Sequence, residues 1–155
     1  MKKIEISDLN LWQFETLGKE TSIQHFVTDR SSNSRGKEFT LSYSSSPDRE
    51  EVQKNRNMLA SAMGIEKSHL FFPSQVHKTR IVTVTRDTTK DELMETDSLI
   101  TNEKGLCIAV MSADCVPILL VDKKTKPLEP FIQAGGVPLL KSSKKHFRKC
   151  NHNLE

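Results

Sequence analysis

Two apolar runs in the second half of the chain constrain its fold more than any other sequence feature. Residues 106–111 read LCIAVM and residues 116–121 read VPILLV, and only residues 112–115 lie between them. Strands that are apolar at nearly every position are typical of a sheet covered on both faces. We therefore predict two buried strands joined by a short polar connection.

The best-marked helix lies in the first half of the chain. Ser46 is placed as the N-cap, Pro47 suits the first helical position, and acidic residues follow, all of which favour a helix N-terminus. The helix is predicted to run to about Met63 and to end at Gly64. The remaining pattern predicts strands at 23–28, 38–43, 69–72, 80–85 and 98–101, a loop at 30–36, and a loop or one irregular helical turn at 87–96. Together these elements predict an α/β (α+β) fold with mixed β-sheets flanked by helices.

Length and composition exclude several classes of protein. The 155 residues suit one globular domain. No apolar run approaches the roughly 18 residues needed to span a bilayer. The first ten residues, MKKIEISDLN, lack the apolar segment of a signal peptide, so we expect a cytoplasmic protein with no membrane partner. The three cysteines, Cys107, Cys115 and Cys150, include no CxxC pair and are too irregularly spaced for a disulfide framework or a closed zinc finger.

The positive charge is concentrated at one end of the chain. The net charge is +3, but the residues from 122 onward carry +5 and residues 1–121 carry −2. Because binding to nucleic acid depends on a basic surface, the case for it would rest on this tail alone. No nucleic-acid partner is predicted.

Two residues in polar connections could carry chemistry. His77 lies in the turn S-Q-V-H before the predicted strand 80–85, and Cys115 lies between the two apolar runs. Imidazole nitrogen and thiolate sulfur are both zinc ligands, and a catalytic zinc takes three protein ligands with one position open. The same pair could be a cysteine nucleophile with a histidine base, so a metal site and a metal-free Cys–His hydrolase both stay open.

Structural explanations compete with functional ones at the other candidate residues. Cys107, inside the first apolar run, is interpreted as a small buried hydrophobe, and Asp114 could cap a turn. His25 and His69 show no ligand spacing. Arg56, with Asn55, lies in the predicted helix, where an arginine ordinarily faces solvent, whereas one directed into a cleft could bind a substrate anion.

Several segments read together resemble one family. The laccase-domain family has blocks similar to SQVH (74–77), TDSLITNEKGL (96–106) and SADCVPILL (112–120), and less specifically to IQHFVTDR (23–30) and VQKNRNML (52–59). The resemblance covers about residues 22–122. Bacterial members of this family, once called polyphenol oxidases, are described as purine nucleoside phosphorylases.

The resemblance implies a zinc ion held by a His, a Cys and a second His. His77 matches the first ligand and Cys115 the second, while Asp114 would orient the site. It also implies cleavage of purine nucleosides by phosphate, with adenosine deamination as a further activity, and Arg56, beside Asn55, would contact the phosphate. A multicopper centre is not expected from one histidine and one cysteine.

The third ligand of the family lies in a block reading H-A/S-G-W-R-G, but residues 131–138 of this chain read FIQAGGVP. The expected histidine falls near Ile132. If residues 131–137 were encoded TTC ATT CAG GCT GGC GGG GTA, reading from the last base of the first codon would give HSGWRG. We therefore predict a single-base frame change between about residues 122 and 131.

This hypothesis divides the chain into two parts. Residues 1–122 would be the N-terminal part of the family's fold, which would be incomplete at its C-terminus, and residues 123–155 would be an aberrant, disordered basic tail. A third alternative follows, in which this chain is an inactive truncated fragment. The oligomeric state is not predicted.

Overall fold

The computed structural model of the chain describes residues 1–113 and 115–121, together with the backbone of residue 122 and of residues 131–136. The chain divides into two compact units, Met1–Ser68 and His69–Glu155. Strands and a helix occur together, which confirms the predicted α/β character. Within the described residues, no helix has the length and apolar character that crossing a membrane requires.

The N-terminal unit begins with an antiparallel hairpin that was not predicted. Strand β1 (Lys2–Ile6) pairs with β2 (Leu9–Gln13), with Ile6 opposite Leu9. Leu9 and Leu11 lie on the same face of β2 and are both fully buried. The alternation of apolar and polar residues in both strands is the signal that could have identified this hairpin.

Helix α1 (Arg49–Met63) forms in the predicted region but begins later than predicted. Asp48 is the N-cap, and its carboxylate accepts the N–H three residues further on at 2.9 Å. The predicted cap Ser46 and the predicted first helical residue Pro47 therefore both precede the helix, because aspartate is as effective an N-cap as serine. Gly64 ends the helix in the left-handed region, with φ of 67°, as predicted.

The predicted strands at 23–28 and 38–43 are wrong. Val27 forms only an isolated bridge to Trp12, with backbone hydrogen bonds of 2.8 and 2.9 Å, and no strand covers residues 38–43. Side chains bind the backbone between these segments: Ser31 N–H donates to the Asp29 carboxylate at 2.8 Å, and Asp29 N–H donates to Ser32 Oγ at 2.8 Å. Such local bonds compete with sheet formation.

The C-terminal unit contains the remaining strands: β3 (Leu70–Phe71), β4 (Ile81–Thr83), β5 (Ser98–Thr101), β6 (Cys107–Ile108), β7 (Pro117–Asp122) and β8 (Phe131–Gly136). Four of them form a mixed sheet in the order β4-β5-β8-β7, in which β4 and β5 are parallel and the other neighbours antiparallel. Strands β3 and β6 form a separate parallel pair. Among the described residues of this unit, Phe71, Val84, Leu93 and Leu99 form a buried hydrophobic cluster.

The expectation that both apolar runs are strands buried on two faces is only partly right. Strands β6 and β7 form within them, but residues 106–111 and 117–121 are half-buried. Among the strands whose burial is described in full, β5 is the one with every residue buried, and it was predicted with its observed bounds. The difference follows from sheet position, because β5 lies between two neighbours whereas β7 is at the edge.

Two further predictions concern residues 87–96 and the C-terminal tail. A 3₁₀ turn at Asp91–Leu93 agrees with the predicted loop or irregular turn at 87–96. Within the predicted disordered tail, β8 is a strand that pairs with β5 and β7. The rest of that tail, residues 123–130 and 137–155, lies outside the described residues.

Candidate functional site

The parallel pairing of β3 with β6 brings together the two segments that carry the predicted ligands. Phe71 lies opposite Ile108, and both strands end at these residues. Carboxyl ends of parallel strands meet at one edge of a sheet, which is where ligands bind in such folds. Residues 72–80, here called the His77 loop, and residues 109–116, here called the Cys115 loop, both start at this edge.

Hydrogen bonds hold the first parts of the two loops side by side. Ala109 N–H donates to the Phe71 carbonyl at 3.0 Å, which extends the strand pairing by one step. Further along, Met111 N–H donates to Gln75 Oε1 at 2.8 Å. His77 follows Gln75 by two residues and Cys115 follows Met111 by four.

The His77 loop is built around a buried carboxylate that was not predicted. Asp97 has no exposed surface and lies immediately before β5. Its Oδ1 accepts the N–H groups of Val76 at 2.9 Å and His77 at 2.6 Å, and its Oδ2 accepts that of Lys78 at 2.7 Å. A charge buried in this way needs such partners, because an uncompensated one is very costly. His77 itself has a φ of 58°, and its side chain is exposed.

The Cys115 loop presents a thiol in different surroundings. Cys115 is a half-buried free cysteine whose carbonyl accepts a hydrogen bond from Ser112 Oγ. Val116, the next residue, is 57% exposed. Asp114, predicted to orient the site, lies outside the described residues.

The other described cysteine has no environment suited to chemistry. Cys107 lies in β6, and burial raises the pKa of its thiol to about 12. The thiol is therefore neutral near pH 7, and thiolate is the form that attacks substrates and binds metals. This supports the interpretation of Cys107 as a small hydrophobe, although part of its surface is exposed and its burial is not complete.

Asn55 and Arg56 lie in the N-terminal unit, where both attach α1 to the chain segment before it. Asn55 is buried and its Nδ2 donates to the Thr40 carbonyl at 3.0 Å, while its Oδ1 has no hydrogen-bond partner among the described residues. Arg56 Nε donates to the Leu41 carbonyl at 2.8 Å, and its guanidinium carbon lies 4.4 Å from the centre of the Tyr43 ring.

The solvent-facing interpretation of Arg56 is therefore wrong. Its side chain is half-buried, and this burial lowers the pKa of its guanidinium. A guanidinium stacked on an aromatic ring is held in place by that contact. A role for Arg56 or Asn55 in binding substrate stays a prediction.

The donor types of the two loops suit zinc, since imidazole nitrogen and thiolate sulfur are among its usual ligands. A catalytic zinc takes three protein ligands, and His77 and Cys115 supply two. Among the described residues, no three His, Cys, Asp or Glu side chains come together as a metal centre. The residue at the position of the third predicted ligand, Ile132, is described only as backbone, opposite Thr101 of β5.

A mixed α/β chain with histidine and cysteine on adjacent loops is what the laccase-domain resemblance implies, and comparison with known proteins agrees. Residues 24–128 match the family described as multi-copper polyphenol oxidoreductase laccase. This chain belongs to that family.

Curated relatives carry a more specific name. A purine nucleoside phosphorylase of Bacteroides thetaiotaomicron is 31% identical over 127 residues, which are 76% of this chain and 47% of that protein. A purine nucleoside phosphorylase of Corynebacterium glutamicum is 34% identical over 85 residues, which are 54% of this chain and 35% of that protein. The chain thus spans about half the length, or less, of these curated relatives.

Solved structures show the same fold. The crystal structure of the hypothetical protein YfiH of Bacillus licheniformis has a TM-score of 0.56 and 24% identity, covering 64% of this chain and 39% of that one. That of YlmD from Geobacillus stearothermophilus has a TM-score of 0.55 and 24% identity, covering 66% and 39%. At this identity the likeness concerns the fold alone.

Proposed function

We propose that this chain carries part of the active site of a zinc-dependent purine nucleoside phosphorylase. In this reaction a phosphate oxygen bonds to the ribose C1′, and the bond from C1′ to the purine nitrogen breaks, giving ribose 1-phosphate and the free base. Adenosine, inosine and guanosine are the proposed substrates, with adenosine deamination as a second activity and the cytoplasm as the location. The observation that carries the proposal is the pairing of β3 with β6, from which the loops of His77 and Cys115 both start.

His77 and Cys115 are the proposed metal ligands, with a third ligand from outside the described residues. A bound zinc ion polarises oxygen atoms, which suits activation of a water or a phosphate oxygen. The buried Asp97 keeps the backbone of His77 in place beneath the exposed imidazole. Asp114 is proposed to orient the site, and Arg56 and Asn55 to bind the substrate phosphate.

The tail sequence bears on whether this particular chain is active. We propose that residues 1–122 form the family's N-terminal part and that residues 123–155 are read out of frame. With Ile132 in place of a histidine, zinc affinity should fall far, because ligand count sets it. Sequencing the gene across codons 120–135 tests this: absence of any single-base change that opens an H-x-G-W-R-G frame there would refute the frame hypothesis.

The activity is tested by comparing this chain with a version in which the frame is restored. The restored protein is expected to bind roughly one zinc ion per chain and to convert inosine and phosphate into hypoxanthine and ribose 1-phosphate. Its His77→Ala and Cys115→Ala variants should lose both properties. His69→Ala and Cys107→Ala remove the same residue types elsewhere in the C-terminal unit and should keep them.

The outcomes separate the alternatives. The unrestored chain is expected to show no phosphate-dependent loss of inosine, and clear turnover by it would contradict the need for a third ligand near position 132. Hydrolysis that needs Cys115 and His77 but neither zinc nor phosphate would instead establish the metal-free Cys–His hydrolase. A restored protein that binds zinc without cleaving any purine nucleoside would refute the proposed activity.

A further inference from the structure

The backbone of residues 76–78 is shaped by one side chain from a distant part of the chain. Asp97 accepts the N–H groups of three successive residues, Val76, His77 and Lys78, at 2.6–2.9 Å. Successive N–H groups converge on one anion only where the backbone curls around it. His77, the middle residue, has a φ of 58°, in the left-handed region.

This arrangement costs free energy at two points. A residue with a Cβ is strained in the left-handed region, where glycine or asparagine is more usual. Asp97 is a carboxylate with no exposed surface, so its charge has been removed from water. Both unfavourable terms accompany one feature, the backbone conformation of His77, and the side chain of His77 is exposed. Ser7 and Glu95 also have positive φ, so the conformation alone does not mark a site, but at His77 it coincides with three N–H groups that converge on a buried carboxylate.

Other contacts hold both ends of the same loop, so Asp97 acts on a segment that is already anchored. Ser74 N–H donates to the Leu93 carbonyl at 2.9 Å, and Ser74 O accepts Thr96 N–H at 3.1 Å. At the other end, Arg80 donates to the Met94 carbonyl at 2.8 Å. These contacts fix the two ends of the loop but leave the backbone conformation at its centre undetermined. The hydrogen bonds to Asp97 lie at that centre.

We propose that Asp97 is the positioning residue of the site: by binding the N–H groups of residues 76–78, it fixes the direction in which His77 presents its imidazole. The part of this inference that concerns metal binding rests on the proposed function. The part that concerns the backbone does not. Asp97 makes no contact with substrate in this role, since it acts through the backbone of His77.

The test uses the full chain and Asp97→Asn, which keeps the shape of the side chain. The amide oxygen can still accept two N–H groups, but the NH₂ group would face Lys78 N–H, donor against donor. Thr101→Val is the matched control, because Thr101 is buried in β5 and its hydroxyl bonds only to groups away from the His77 loop among the contacts described: it donates to the Val84 carbonyl at 2.9 Å and accepts Glu103 N–H at 3.1 Å.

Two quantities are measured on each variant. The first is the amide hydrogen-exchange rate of His77 and Lys78 relative to that of Trp12, whose N–H donates to the Val27 carbonyl at 2.9 Å in the N-terminal unit, which contains neither substituted residue. We expect Asp97→Asn to raise this ratio about tenfold and Thr101→Val to leave it unchanged. The second is the affinity of the frame-restored protein for Zn²⁺ alone, measured by competition with a chromophoric chelator, which Asp97→Asn should weaken about tenfold.

The two readouts fail separately. An exchange ratio equal to that of Thr101→Val would overturn the positioning role, whatever happens to zinc. Faster exchange with unchanged zinc affinity would overturn the claim that the loop conformation matters for His77 as a ligand. Absence of zinc binding by the frame-restored form would contradict the proposed function, while the exchange ratio would still decide whether Asp97 shapes the loop.

Discussion

The His77 loop and the Cys115 loop start from neighbouring parallel strands, yet they are held in different ways. The centre of the His77 loop binds a fully buried carboxylate through three backbone N–H groups. The hydrogen bonds described in the Cys115 loop include that of Ala109 N–H to the Phe71 carbonyl of β3, that of Met111 N–H to Gln75 of the His77 loop, and that of Ser112 to the Cys115 carbonyl. One candidate ligand is fixed by the core, and the other is fixed mainly through the first loop.

This difference predicts which of the two proposed ligands is preorganised before a metal binds. A ligand held before binding loses little conformational freedom when it binds, whereas a ligand on a less constrained loop is ordered at that moment and pays for it in affinity. In the proposed site, His77 would therefore be the preorganised ligand and Cys115 the ligand that adjusts on binding. Gln75, which accepts Met111 N–H, links the two loops.

The largest effect is expected in thiol reactivity, which compares the Cys115 loop with the strand from which it starts. In a Cys150→Ser background, a disulfide reagent should modify Cys115 about a hundredfold faster than Cys107 at pH 8. With a pKa of about 12 raised by burial, Cys107 stays protonated there. Its labelling should rise about tenfold per pH unit towards pH 10, because the thiolate is the reactive form.

The labelling rate of Cys107 is measured in the Cys115→Ser variant and that of Cys115 in the Cys107→Ser variant. Both variants are made in the same background, so each retains a single thiol. Equal labelling rates at pH 8 would show that the Cys115 loop is as closed as the strand β6. A Cys107 rate that does not change with pH would contradict the burial of its thiol.

The next effect concerns stability and compares the two loops directly. Asp97→Ala removes the acceptor of three N–H groups, and we expect a loss of about 3 kcal/mol in the free energy of unfolding. Ser112→Ala removes the side-chain hydrogen bond within the Cys115 loop and should cost only about 0.5 kcal/mol. Urea unfolding followed by fluorescence measures both, and similar losses would remove the proposed difference between the loops.

Much of the local structure was predictable because it depends on neighbouring residues. Strand β5 was predicted with its observed bounds, and Gly64 ends α1 because glycine adopts the left-handed region without strain. The predicted start of the helix was wrong because Ser46 and Asp48 are both good N-cap residues. Local sequence does not decide between them.

The site was less predictable because its geometry depends on distant contacts. His77 and Cys115 were selected from their chemistry and from the family resemblance, but no spacing rule indicated that their loops start side by side. Asp97 was missed because its partners are backbone N–H groups of a distant loop, which no residue type in that loop indicates. The signal that could have suggested it is an acidic residue directly before a strand of apolar and small residues, TDSLIT.

The smallest effect tests the strain at the centre of the His77 loop. Because His77 has a φ of 58°, glycine should fit this position better than alanine, and we expect His77→Gly to be about 1 kcal/mol more stable than His77→Ala. At Val76, which is not in the left-handed region, the order should reverse, with Val76→Gly less stable than Val76→Ala by about 0.5 kcal/mol. Chemical denaturation of the four variants gives both differences. If alanine were as stable as glycine, or more stable, at position 77, as is expected at position 76, His77 would not be held in a strained conformation, and the proposed role of Asp97 in enforcing that conformation would be wrong.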